Sequence, residues 1–100
     1  MTINKLQESG KVTLVLDGRL DTSTAQQLQD ALAEAFEDAL AVELDFAGVA
    51  YVSSSGLRVL LMGQKVATGK GATMSVSNVS DEIMEVLDMT GFSDILTINA

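Results

Sequence analysis

A chain of 100 residues, 47% of them hydrophobic, with a formal net charge of −8, has the size of one compact domain and is too apolar for disorder. It contains no cysteine and no histidine, which excludes a disulfide framework, a thiol nucleophile, a Ser-His-Asp triad and a zinc site of the usual ligands. The cations Lys5, Lys11, Arg19, Arg58, Lys65 and Lys70 are dispersed through an acidic chain, so no nucleic-acid partner is expected.

No apolar run reaches the roughly 18 residues of a membrane span. Met1 to Leu6 lacks the basic start and apolar block of a secretory signal. The expectation is therefore a cytoplasmic protein with no direct membrane insertion.

Ile3 to Gln7 alternates weakly, and Glu8-Ser9-Gly10 supplies turn chemistry before Val12 to Leu16, so the first two strands read as a hairpin. Asp17-Gly18-Arg19-Leu20-Asp21 leads toward a helix start. Ser23 with Gln26, or Thr24 with Gln27, fits a capping box. Ala25, Leu28, Leu32, Ala35, Phe36 and Ala39 then form one apolar stripe, with Gln29, Asp30, Glu34, Glu37 and Asp38 on the solvated side.

Val42 to Phe46 alternates at period two and predicts a third strand. A second helix starts near Ser54 or Ser55 and runs to about Thr68, with Gly69 and Gly71 as stop signals. Leu57, Val59, Leu60, Leu61, Met62, Val66 and Ala67 cover most of its circumference, which predicts a deeply buried helix. The methionines Met62, Met74, Met84 and Met89 read as core filling.

Met74 to Ser77 alternates as a fourth strand. Ser80 is a predicted N-cap followed by Asp81 and Glu82, with Val79 and Met84 at the positions of a hydrophobic staple. Ile83, Val86, Leu87 and Thr90 continue the inward face of a third helix, Gly91 is a predicted left-handed cap, and Phe92 is placed to pack on Leu87. Ile95 to Ile98 reads as a short closing strand. Strands alternating with helices imply an α/β domain over residues 1–100: a mostly parallel mixed sheet of about five strands, an N-terminal hairpin and three to four packed helices.

The stretch Tyr51-Val52-Ser53-Ser54-Ser55-Gly56-Leu57-Arg58 concentrates the chemistry. Three hydroxyls and a glycine stand where a strand gives way to a helix whose first N–H groups have no partner. Such an entrance carries partial positive charge and suits an anion or a phosphorylated serine. The plainer reading of Ser54 is N-capping. Asp17, Asp21 and Asp45 could do acid–base work or hold magnesium, but isolated carboxylates near strand ends more simply cap helices or face water. Gly69-Lys70-Gly71 has neither the spacing nor the hydroxyl of a phosphate loop, so nucleotide hydrolysis is not expected. The expectation is a binding module, not an enzyme, with no cofactor and no metal.

In their order and spacing, Gly18-Arg19-Leu20-Asp21, Leu44-Asp45-Phe46 with Val49, Ser53 to Leu61, and Leu87-Asp88-Met89-Thr90-Gly91-Phe92 resemble the STAS family. This is the domain shared by bacterial anti-sigma-factor antagonists and the tails of sulfate transporters. In antagonists the junction usually reads Asp-Ser-Ser-Gly-Leu or Asp-Ser-Thr-Gly-Leu, and the first hydroxyl after the aspartate is phosphorylated. The resemblance implies Ser54 as phosphoacceptor, with Ser53 and Ser55 as substitutes, and a partner-binding surface of Asp21, Thr22, Ser53, Ser54, Ser55, Gly56, Leu57 and Arg58. Two departures stand out: Ser53 occupies the aspartate's place, and Arg58 replaces a small residue, often glycine.

What the resemblance implies is partner switching. The unmodified protein would bind an anti-sigma factor that is also a serine kinase, release it when phosphorylated, and be reset by a serine phosphatase. The alternative is a non-phosphorylated STAS adaptor subunit of an ABC-type membrane transport complex, docking an ATPase subunit through the same surface.

Overall fold

The alternating apolar residues Val12, Leu14 and Leu16 become the inward face of a long interior strand, and the chain that follows winds away from it in one direction. In the computed structural model, which describes residues 1–99, the elements run β1 (Thr2–Glu8), β2 (Lys11–Leu20), α1 (Ala25–Asp38), β3 (Ala41–Val52), α2 (Ser54–Lys70), β4 (Thr73–Ser77), α3 (Asp81–Thr90) and β5 (Thr97–Ile98). One 3-10 turn, Phe92–Asp94, precedes β5.

The sheet order is β1-β2-β3-β4-β5, with β1 antiparallel to β2 and all other pairs parallel. Three successive parallel crossovers advance one strand at a time, and all three helices pack on the same face, as crossovers of one hand require. Val12, Leu14, Leu16, Val42, Leu44, Phe46, Met74 and Val76 fill that face as a single core with Leu28, Leu32, Leu60 and Leu87 from the helices. The opposite face carries half-buried Thr13, Val15, Glu43, Asp45, Ser75 and Ser77. There Glu43 accepts hydrogen bonds from Lys11 at 2.9 Å and from Ser77 at 2.8 Å, and these hold its carboxyl below the usual range, Lys11 being the larger cause.

The expected hairpin, α/β alternation and apolar stripe of α1 are all present. Other expectations need correction. β2 and β3 run on to Leu20 and Val52, well past Leu16 and Phe46, with register shifts between Val15 and Asp17 and between Gly18 and Arg19. The capping box at α1 does not form: Thr24 is the N-cap residue without a side-chain cap, because its hydroxyl donates to the Arg19 carbonyl at 2.8 Å and accepts from the Asp21 N–H at 2.9 Å.

α2 extends to Lys70 and closes at Gly71, whose φ is 69°. It is not buried all round. A single helical layer leaves one of its flanks open, and Met62 and Val66 are 41% and 42% exposed beside a groove of about 240 Å³ shared with Leu32, Phe36, Val59 and Gly63. Met74 is core and Met84 half-buried, whereas Met62 and Met89 are exposed and do not fill the core.

At α3, Ser80 caps by accepting the Ile83 N–H at 3.2 Å, and Gly91 takes the left-handed cap at φ 80°. Ile83 and Leu87 face inward as expected, but Val86 and Thr90 are exposed, because among the described residues nothing packs outside the single helical layer. The closing strand shrinks to Thr97–Ile98, since Phe92–Asp94 forms the 3-10 turn and Ile95 is exposed.

Candidate functional site

Two parallel strands end side by side, and each hands the chain to a helix. β2 ends at Leu20 and continues through Asp21-Thr22-Ser23-Thr24 into α1; β3 ends at Val52 and continues through Ser53 into α2. In open α/β sheets the carboxyl ends of parallel strands are the usual position for binding surfaces. Here the two loops are tied together. The Ser53 N–H donates to the Leu20 carbonyl at 2.9 Å, and the Thr22 and Ser55 hydroxyls share a hydrogen bond of 3.0 Å.

The serine triplet divides its work. Ser53 is the N-cap: its backbone is extended, its Oγ accepts the Gly56 N–H at 3.2 Å, and its carbonyl accepts the Leu57 N–H at 2.9 Å. Ser54 is then the first helical residue, and it is exposed. Ser55 is half-buried and engaged with Thr22. The capping role considered for Ser54 therefore falls to its neighbour. Of the three hydroxyls, that of Ser54 is the one that neither caps the helix nor bonds across the loops.

Gly56 sets how closely α2 meets β2. A Cβ there would stand 2.7 Å from Leu20 Cγ and 2.9 Å from the Leu20 carbonyl oxygen, so only glycine permits this approach. Leu57 is buried and anchors the first turn in the core, while Arg58 is exposed one turn after Ser54.

Asp21 is half-buried and folds onto its own loop. Its Oδ1 accepts from the Ser23 hydroxyl at 2.6 Å and the Ser23 N–H at 3.0 Å, an Asx turn that starts the lead-in to α1. The Ser23 hydroxyl is the chief reason its carboxyl lies below the usual range, with the Ser23 N–H and Arg19 adding to it. Thr22 is exposed beside it. Asp17 is exposed on β2 and Asp45 accepts from the Ala47 N–H at 2.9 Å and Asn78 Nδ2 at 3.0 Å, so neither joins this cluster.

Two residues of the site escape a reading by sequence. Arg19 and Tyr51 are register partners on β2 and β3, and the guanidinium lies 4.3 Å from the ring centroid. Arg19 Nε also stands 3.6 Å from Asp21 Oδ2. Tyr51 is 42% exposed, and the pair forms an aromatic–cationic contact near the ends of the two strands that lead into the loops. Strand pairing alone brings them together; no linear spacing between positions 19 and 51 signals it.

Comparison with known proteins bears on the family and the fold. The family model described as "Mlab, STAS domain" matches residues 4–97. The anti-sigma-B factor antagonist of Bacillus subtilis (strain 168) is 24% identical over 100 residues, which cover 100% of this chain and 92% of that protein. The anti-sigma F factor antagonist of Paenibacillus polymyxa is 30% identical over 91 residues, 89% of this chain and 78% of that one. Among solved structures, that of an anti-sigma factor antagonist from Mycobacterium paratuberculosis superposes with a TM-score of 0.87 at 21% identity, covering 97% of this chain and 83% of that one, a likeness of fold.

Proposed function

This chain belongs to the STAS domain family, and on that premise we propose that it is an anti-sigma-factor antagonist whose affinity for its partner is switched by phosphorylation of Ser54. Residues 1–100 are taken as one such domain, acting by binding and not by catalysis. The observation that carries this reading is the division of labour among the serines: Ser53 caps α2, Ser55 bonds to Thr22, and Ser54 stays exposed. The relatives at 24% and 30% identity, both named as anti-sigma factor antagonists, favour the same reading.

In the unmodified state Ser54 presents a small neutral surface near Thr22 and Arg58, onto which an anti-sigma factor with serine kinase activity docks. The kinase brings ATP. The Ser54 oxygen attacks the γ-phosphorus, the bond to the β,γ-bridging oxygen breaks, ADP leaves, and the hydroxyl proton passes to the kinase's base. The product carries about −1.5 to −2 extra charges at pH 7. The domain tolerates this because the first N–H groups of α2 and its dipole favour an anion. The docked partner does not, since a closely packed interface has no room or counter-charge for it. A serine phosphatase restores the binding state.

Ser54→Asp and Ser54→Ala variants test the proposal by calorimetry against the anti-sigma partner. The expected results are a loss of about 2 kcal/mol for Asp, roughly 30-fold in Kd, and near-native binding for Ala. Equal binding by both variants refutes the switch. Ser53 in place of the usual aspartate favours one second reading, a non-phosphorylated adaptor of an ABC-type transport complex. Copurification with a transporter ATPase, unaffected by ATP, would select that reading instead.

A further inference from the structure

Arg58 is a cation with nothing to pair with on its own helix. Lys5 is held by Glu34 and Asp38, Lys11 by Glu43, and Arg19 by Asp21 and the Tyr51 ring, whereas Arg58, like Lys65 and Lys70 farther along α2, has no such partner among the described residues, and of these three only Arg58 lies at the helix entrance. Among the described residues no carboxylate forms a salt bridge with Arg58. On an α-helix a side chain meets the residues three and four positions away. For Arg58 these are Ser54, Ser55, Leu61 and Met62, none of them charged, and the first turn of α2 contains no acidic residue. Ser54 and Arg58 are both exposed and lie one turn apart on the same face.

A group of negative charge placed four residues before a cation is the favourable orientation for such a pair, and the guanidinium fork suits a phosphate. No carboxylate stands beside Ser54 on either side to repel a phosphate, and Arg58 places a cation one turn below it.

We propose that Arg58 is an intramolecular receptor for the phosphate on Ser54, so that phosphorylation closes a clamp along the first turn of α2. This rests on the reading of Ser54 as the modified residue. The clamp gives one modification two effects on a partner. It adds a bulky anion, and it withdraws a guanidinium that the unmodified surface offers to a carboxylate across the interface. An attractive contact is lost at the moment a repulsive one appears.

The test needs neither kinase nor partner. The full chain is produced with phosphoserine encoded at position 54, and the phosphate is followed by phosphorus NMR across pH 4 to 8 at low salt, in the native background and with Arg58→Gln and Arg58→Lys. The second ionisation of the phosphate, ordinarily near pH 6, is expected to lie about 0.15 to 0.4 unit lower in the native background than in Arg58→Gln. Arg58→Lys should fall between, and about 1 M salt should erase most of the difference. Superimposable titrations of the native and Arg58→Gln proteins overturn the clamp, provided circular dichroism shows both folded. The switch has its own readout. A clamp present in a protein whose partner ignores the phosphate removes the switch and keeps the clamp. A discriminating partner with no difference in titration does the reverse.

Discussion

Replacing Gly56 by alanine strikes the contact that positions the candidate site. The added Cβ would stand 2.7 Å from Leu20 Cγ and 2.9 Å from the Leu20 carbonyl oxygen. Neither atom can retreat easily. Leu20 is completely buried, and its carbonyl already accepts the Ser53 N–H at 2.9 Å. The start of α2 must therefore tilt away from β2, straining the core by about 1–3 kcal/mol and weakening a hydrogen bond that contributes about 1 kcal/mol. The better helix propensity of alanine returns at most about 1 kcal/mol.

A net loss of about 2 kcal/mol lowers the Tm of a domain of this size by about 8–16 °C. Thermal and urea melts followed by circular dichroism at 222 nm read this directly, with an unchanged urea slope marking a true stability effect. Gly69→Ala is the control, since nothing lies within 4 Å of its Cβ position and the residue is helical. It should gain about 0.5–1 kcal/mol. A Gly56→Ala protein as stable as the wild type would refute the claim that close approach to Leu20 sets the helix start.

Other substitutions have equally definite outcomes. Ser53→Ala removes the oxygen that caps the Gly56 N–H and should cost about 1 kcal/mol in urea titrations, whereas Ser53→Asp, an equally good cap, should cost almost nothing. Leu60→Ala, at a fully buried position, should cost about 2–5 kcal/mol, while Met62→Lys two positions on should stay within about 0.5 kcal/mol, because that side chain already faces water. Glu43 is held below the usual carboxylate range by Lys11 and Ser77. Its contribution is complete above the unfolded value of about 4.3 and is lost as pH falls through the lower folded value. Stability measured from pH 6 to pH 2 should therefore decline less steeply in Glu43→Gln than in the wild type; parallel curves would contradict the pairing.

The elements that were legible in sequence are those whose local signals agree with their tertiary setting. α1 and α3 show apolar stripes facing the core, and Ser80 and Gly91 cap as their chemistry dictates. The strand ends were not legible. Asp17-Gly18 and Ala47-Gly48 look like turns, yet they sit inside paired strands where the register slips, and only the neighbouring strand reveals this. The exposure of Met62 and Val66 was hidden for a different reason. An apolar helix suggests cover on all sides, but three crossovers of one hand build only one helical layer. At the site, the triplet announced a helix entrance but not which hydroxyl caps it. That assignment depends on the extended backbone of Ser53 and on Thr22, which reaches Ser55 from the neighbouring loop. Arg19 and Tyr51 needed the β2–β3 register before they could be seen as a pair.

The most direct measurement is to locate the phosphate. The purified chain is incubated with its anti-sigma kinase and ATP, digested, and sequenced by mass spectrometry, alongside Ser54→Ala. One phosphate per chain is expected on Ser54 and none on the variant. Phosphate on Ser53 or Ser55, or an unmodified triplet with a kinase proven active, would contradict it.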